Sequence, residues 1–151
     1  MSTEHASITV ANRPKPGKKY FTVQQANQAL EYVSRVVDDI TDRYRQAVEI
    51  RQQIEQVTPD QTLEDLRDSY EGLMDQLNEF IDELALVGVE LKDFERGLID
   101  FPALHEGREV YLCWHRGEQS IVAWHEIDSG FAGRQDVVQL EDEAAARSKT
   151  E

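Results

Sequence analysis

Between Val23 and Val87 the apolar residues recur every three or four positions, twice over. The first series is Val23, Ala26, Leu30, Val33, Val37, Ile40, Tyr44, Ala47 and Ile54, interrupted only at Arg51. The second is Leu63, Leu66, Tyr70, Leu73, Leu77, Phe80, Leu84 and Val87. A period near 3.5 lines a single face of a helix, so the pattern predicts two long helices, at about 22–57 and 62–87. Thr22 and Gln25 stand at capping-box spacing, where each side chain satisfies a backbone N–H of the other. Thr58-Pro59-Asp60 breaks the helical pattern, because proline disfavours helical geometry in the residue before it. Thr62 is the expected cap of the second helix, and Gly88 its stop.

Two seams joined by a short turn predict an antiparallel, coiled-coil-like hairpin. Register places Val87 opposite about Tyr32, so Val23, Ala26 and Leu30 overhang and need cover from the C-terminal half. A second apolar set (Val36, Val48, Ile50, Met74, Ile81 and Leu86) lies off the seam. It exceeds what a lone hairpin buries. Either the sheet covers it or a second subunit does, and the expectation is a homo-oligomer, a dimer through the helices, or a protein partner on the helical face.

From Val89 the period changes to two, the signature of strands. Strands are expected at 89–94, at 98–101 (ended by Pro102), at 109–115 and at 121–127, with a glycine-bearing loop at 129–134. Val110, Leu112 and Trp114 should face one way, and Glu109, Tyr111, Cys113 and His115 the other. The fold class is α+β: a long antiparallel helical hairpin followed by a small antiparallel β-sheet packed across its open end. Residues 1–19 read as a disordered arm, 20–138 as a single domain and 139–151 as an acidic tail.

A formal net charge of −14 argues against a nucleic-acid partner, which needs clustered lysine and arginine, and against an anionic membrane surface. One cysteine excludes an internal disulfide. Neither a signal-peptide pattern nor a membrane-spanning apolar run is present, so a soluble, cytoplasmic protein is expected.

The segment from Gly97 to Arg134 concentrates the chemistry: both tryptophans, the single cysteine and three of the four histidines. Cys113, His115, His125 and Glu126 offer thiolate, imidazole and carboxylate, the ligand types of a transition-metal site. His125 and Glu126 point to opposite faces, and strand register decides which of them joins Cys113. Arg108, Arg134, Asp100 and Trp124 form a second candidate set, for an anion or small ligand, with Arg134 on the glycine loop. The bland alternatives are core packing for Cys113, an Arg134 pair with Asp100 or Glu126, and a cross-strand pair for Trp114 and Trp124. Cys113 and His115 share a face about 6–7 Å apart, too far for a nucleophile–base pair.

The runs YFTVQQAN, GLIDFPALHEGREVYLCW and WHEIDSGFAGR resemble a bacterial family catalogued as domain of unknown function 2203. The resemblance extends from Tyr20 to Val138 and includes Asp100, Arg108, Cys113, Trp124, His125, Gly133 and Arg134. It implies one compact domain and brings no catalytic assignment. With no reaction motif, the leading expectation is a non-enzymatic binding or scaffold protein. The rival is a metal- or small-ligand-dependent enzyme or sensor, with its site at the junction of sheet and helices.

Overall fold

The computed structural model describes residues 8–56, 59–138 and 140. The tail at 141–151 and the first seven residues of the arm lie outside the described residues. Two helices, α1 (Val23–Glu55) and α2 (Asp60–Val87), are followed by strands β1 (Glu90–Asp93), β2 (Leu98–His105), β3 (Arg108–His115), β4 (Ala123–Glu126) and β5 (Gln135–Asp136). The strands form one antiparallel sheet in chain order, β1-β2-β3-β4-β5, so the fold is α+β. Among the described residues no helix is long and apolar enough to cross a membrane.

The chain divides into two compact units. One holds the described residues of Met1–Ala29, Asp100–Trp114 and Gln119–Glu151, and the other holds Leu30–Ile99 and His115–Glu118. In the second unit the helices pair antiparallel. Tyr32 donates its hydroxyl to Glu83 at 2.9 Å, and Arg43 donates to Gln76 at 2.7 Å. The seam residues Val33, Val37, Ile40, Ala47, Leu73, Leu77 and Leu84 are buried. Of the off-seam set, Val36 is buried, Ile50 and Ile81 are half-buried, and Val48, Met74 and Leu86 are exposed.

The ends of the helices follow local chemistry. The Thr22–Gln25 box closes reciprocally, at 3.0 Å and 3.1 Å. Gly88 takes the left-handed conformation, and its N–H reaches the carbonyls of Leu84 and Ala85. The start of α2 corrects the sequence reading. Thr62 lies inside the helix, which begins at Asp60 after Pro59 with no side-chain cap. Proline's fixed φ opens the helix there, and Asp60 sits in the first turn where a negative charge suits the dipole.

In the first unit, residues 8–19, read from sequence as an arm, are bonded to the sheet. The Glu109 N–H donates to the Asn12 carbonyl at 2.7 Å. Glu109 accepts from Tyr20, from Lys15 at 3.1 Å and from Lys18 at 3.3 Å. Phe21 meets Phe101 edge-on at 5.2 Å, and Val23 and Ala26 are buried. Asn27 accepts the Ile121 N–H at 2.7 Å.

Two strand boundaries also differ from expectation. β2 continues through Pro102 to His105. Its neighbour β1 has four residues against eight, so proline's missing N–H falls where no full ladder is required, and the Pro102 carbonyl accepts the Phe21 N–H at 2.8 Å. The glycine loop carries a 3-10 turn at Phe131–Gly133 and then the short edge strand β5, which was expected as loop.

Candidate metal centre

β2 and β3 are joined by two residues, Glu106 and Gly107, both at positive φ (50° and 79°). A two-residue turn with both residues left-handed sets the register of the strands it joins. It places Asp100 across from Cys113, and the bond from the Arg116 N–H to the Gly97 carbonyl at 3.0 Å continues that register. On the other side of β3, Tyr111 pairs with His125, Leu112 with Trp124 and Cys113 with Ala123. Asp100, Cys113 and His125 thus come from three consecutive strands onto one face.

Their ligand atoms all lie within 4.8 Å of one another. Cys113 is 0% exposed, and Asp100 and His125 are 2% exposed each. His125 Nδ1 lies 2.7 Å from the Glu126 carbonyl, and Nε2 lies 3.0 Å from Asp100 Oδ1. A carbonyl only accepts, so Nδ1 carries a proton; Nε2 is the nitrogen directed into the cluster, where it donates to Asp100 when protonated and offers a lone pair to a cation when not. This is the ring arrangement by which proteins orient a metal-binding histidine: the far N–H is tied to backbone. The same carbonyl also accepts from the Ser129 N–H and hydroxyl, each at 3.2 Å.

Cys113 Sγ accepts from Arg134 Nε at 3.0 Å, a charge-assisted contact. Arg134 is held in turn. Its guanidinium lies 4.7 Å over the Phe131 ring, and its N–H donates to the Phe131 carbonyl at 3.2 Å. Gly133 precedes it because nothing larger fits. A Cβ there would stand 2.5 Å from the Ser129 hydroxyl.

Among the described residues, His125 is the one polar partner of the Asp100 carboxylate, so Oδ2 makes no hydrogen bond to them. A carboxylate oxygen this deeply buried normally meets a donor or a cation.

The remaining candidates stand elsewhere. Glu126 lies opposite Val110, on the other face of the sheet. It accepts from Arg108 in bidentate fashion, at 2.9 Å and 2.6 Å. The Glu126 hydrogen bond outweighs burial and raises the Arg108 pKa further. That pair takes up both groups in structure. Trp124 shares this second face. It is opposite Leu112, 5.0 Å from the His105 ring, and its Nε1–H donates to the Asp136 carbonyl at 3.1 Å. Register therefore gives Trp124 an aliphatic cross-strand neighbour in place of Trp114. His115 ends β3, with Nδ1 2.9 Å from the Arg116 carbonyl and Nε2 3.7 Å from Glu118.

Of the two sets read from sequence, the structure thus gathers Cys113 and His125 from one and Asp100 and Arg134 from the other. The signal that could have joined Asp100 to Cys113 was the Glu106-Gly107 turn, once β2 is allowed to run through Pro102.

Neither the curated proteins nor the solved structures yield a significant match to this chain. One family model, described as an uncharacterized conserved protein, does match, over residues 19–137. That span includes all three clustered side chains and most of the chain, so the protein belongs to the DUF2203 family.

Proposed function

We propose that this protein binds a divalent transition metal of the zinc class through Asp100 Oδ, Cys113 Sγ and His125 Nε2. The observation that carries the reading is the buried carboxylate oxygen of Asp100, without a hydrogen bond among the described residues, beside a thiol and an oriented imidazole. A thiolate, an imidazole and a carboxylate together are the donor set of zinc-like ions, whereas magnesium and calcium take oxygen donors. Donor atoms on a tetrahedral ion with bonds of about 2.0–2.3 Å stand about 3.3–3.8 Å apart. A cluster within 4.8 Å therefore needs only a small contraction of side chains. A nucleophilic cysteine fits less well, because reactive thiolates are partly exposed and Cys113 is fully buried.

The test is elemental analysis of tag-free protein purified without chelator, followed by uptake of zinc or cobalt. Near-stoichiometric metal in the parent, lost in Asp100→Asn, Cys113→Ser and His125→Ala, supports the reading. A parent that neither carries nor takes up metal overturns it.

A second observation favours association through the helices. In the second unit an apolar cavity of about 150 Å³ is lined by Tyr44, Val48, Tyr70, Met74, Leu77 and Phe94, among others. Val48, Met74 and Phe94 are each 36% exposed. A binding or scaffold role would use this surface. Light scattering at rising concentration tests it, and a mass fixed at one chain removes self-association.

A further inference from the structure

We propose that the apolar cavity between the two helices binds a small aromatic monocarboxylate, with the ring inside and the carboxylate on Arg51. The inference is independent of the metal. It rests on the binding role given above to that cavity and names the class of ligand.

The cavity originates in the seam. Two consecutive seam positions of α1 supply little apolar volume: Ala47 ends at Cβ, and Arg51 stands where the period calls for an apolar residue. The seam positions on either side carry Tyr44 and Ile54. The helices pair regardless, and a cavity of about 150 Å³ is left beside Ala47 and Arg51. Close-packed interiors hold few voids of this size, because the walls forfeit contact with atoms on the empty side. Val48, Met74 and Phe94 line it and are each 36% exposed, so it opens to solvent.

That volume accepts one benzene-sized ring. The walls suit such a ring. Tyr44 and Phe94 stack at 5.4 Å with planes 28° apart, Met74 offers a polarizable thioether, and Ala47 and Leu77 are buried walls. Among the described residues that line the cavity, Arg51 is the one with a charge. Its guanidinium makes no hydrogen bond to the described residues. Its ion pair with Glu55 is long, at 3.9 Å, between side chains 72% and 69% exposed. Such a pair contributes little and yields to a better-placed acid. The planar fork can give a carboxylate two parallel N–H bonds, while the aliphatic stem of Arg51 stays against the apolar wall. The protein's net charge of −14 opposes an anion, so the local guanidinium and the long-range field make opposite predictions.

The chain has two methionines, Met1 and Met74, so carbon-13 labelling of their methyl groups gives one reporter at the cavity and one control resonance. Benzoate, benzyl alcohol and benzylammonium are the probes: the same ring with three charges. A saturable shift of the Met74 methyl is expected, with benzoate bound tightest, benzylammonium weakest and Met1 unmoved. Arg51→Gln, at an exposed position, should weaken benzoate roughly fivefold and leave benzyl alcohol unchanged. Ala47→Leu fills the cavity and should abolish binding of all three, with thermal unfolding as the check on its fold. If that variant does not fold, Arg51→Gln still decides. A parent whose Met74 methyl ignores millimolar benzoate overturns the ligand, and undiminished binding in folded Ala47→Leu overturns its location. Benzylammonium binding tighter than benzoate, or Arg51→Gln binding benzoate as the parent does, overturns the role of Arg51. A Met74 methyl that moves with protein concentration alone, with a rising mass in light scattering, gives the cavity to a second copy. That result overturns the small ligand and leaves the association reading standing.

Discussion

Two buried carboxylates on the same face of the sheet have opposite surroundings. Glu109, on β3, meets a tyrosine hydroxyl and the ammonium groups of Lys15 and Lys18. Asp100, on β2, meets one imidazole nitrogen among the described residues. Both groups are almost fully buried, so burial alone does not distinguish them. The difference lies in what the chain supplies. Residues 8–20 bring cations and a hydroxyl to Glu109 and complete its hydrogen bonding. Around Asp100 the chain supplies a thiol and an imidazole, which are ligands more than counter-charges. The first cluster is complete as a structural anchor. The second offers the donor set that the proposed cation would complete.

The largest expected effect follows directly. Zinc present at about 100 times its dissociation constant should stabilise the parent by about 2.7 kcal/mol. In Asp100→Asn or Cys113→Ser that increment should vanish, and thermal unfolding with and without zinc measures it. Should zinc raise the melting temperature of these variants as it does the parent's, the contrast between the two carboxylates loses its basis.

Glu109→Ala provides the complementary test. It removes an acceptor from Tyr20, Lys15 and Lys18 and should cost about 1–3 kcal/mol in urea unfolding. Lys15 and Lys18 keep access to water, which limits the loss. Metal stoichiometry should be unchanged.

Glu109 also predicts a pH dependence. Burial pushes its pKa up, but the hydrogen bonds from Tyr20, Lys15 and Lys18 outweigh burial and hold it below the ordinary carboxylate range. A folded-state value lower than the unfolded one means stability that is complete above the unfolded pKa of about 4.3. That stability is lost as pH falls below this value and through the folded one. Glu109→Gln should therefore flatten the acid limb of stability, measured below about pH 4.3. An acid limb identical to the parent's would show that the cluster stores no such energy.

Gly133→Ala forces a Cβ against Ser129 and should cost about 1 kcal/mol. Its more telling consequence is a displaced Arg134, visible as weaker metal uptake while Glu109's acid limb stays the same. The smallest effect belongs to Leu86, which is 88% exposed. Leu86→Lys should change stability by no more than about 0.5 kcal/mol. A drop in solution mass in that variant would place Leu86 in an interface.

Much of the fold was legible because its rules are local. The three- and four-residue steps, the Thr22–Gln25 box and Gly88 marked α1 and α2, and alternation assigned the faces of β3. The errors at Thr62 and Pro102 have a shared origin. Both treat a residue's average preference as a boundary, whereas Pro59 can itself open a helix and a short neighbouring strand can tolerate a proline.

The candidate site was legible only in pieces. Cys113, His125, Asp100 and Arg134 each stood out, but in two separate sets. Their union depends on which residue of one strand lies beside which residue of the next. The sequence by itself determined the element types, the inventory of chemical groups and the alternation that separates Cys113 from Trp114. Only the tertiary structure decided that Asp100 and His125 reach the face of Cys113 while Glu126 and Arg108 pair on the other. The physical reason is the period of two. A register shifted by one residue would send Glu126 toward Cys113 and His125 away, and that register is set by turns and packing outside either strand.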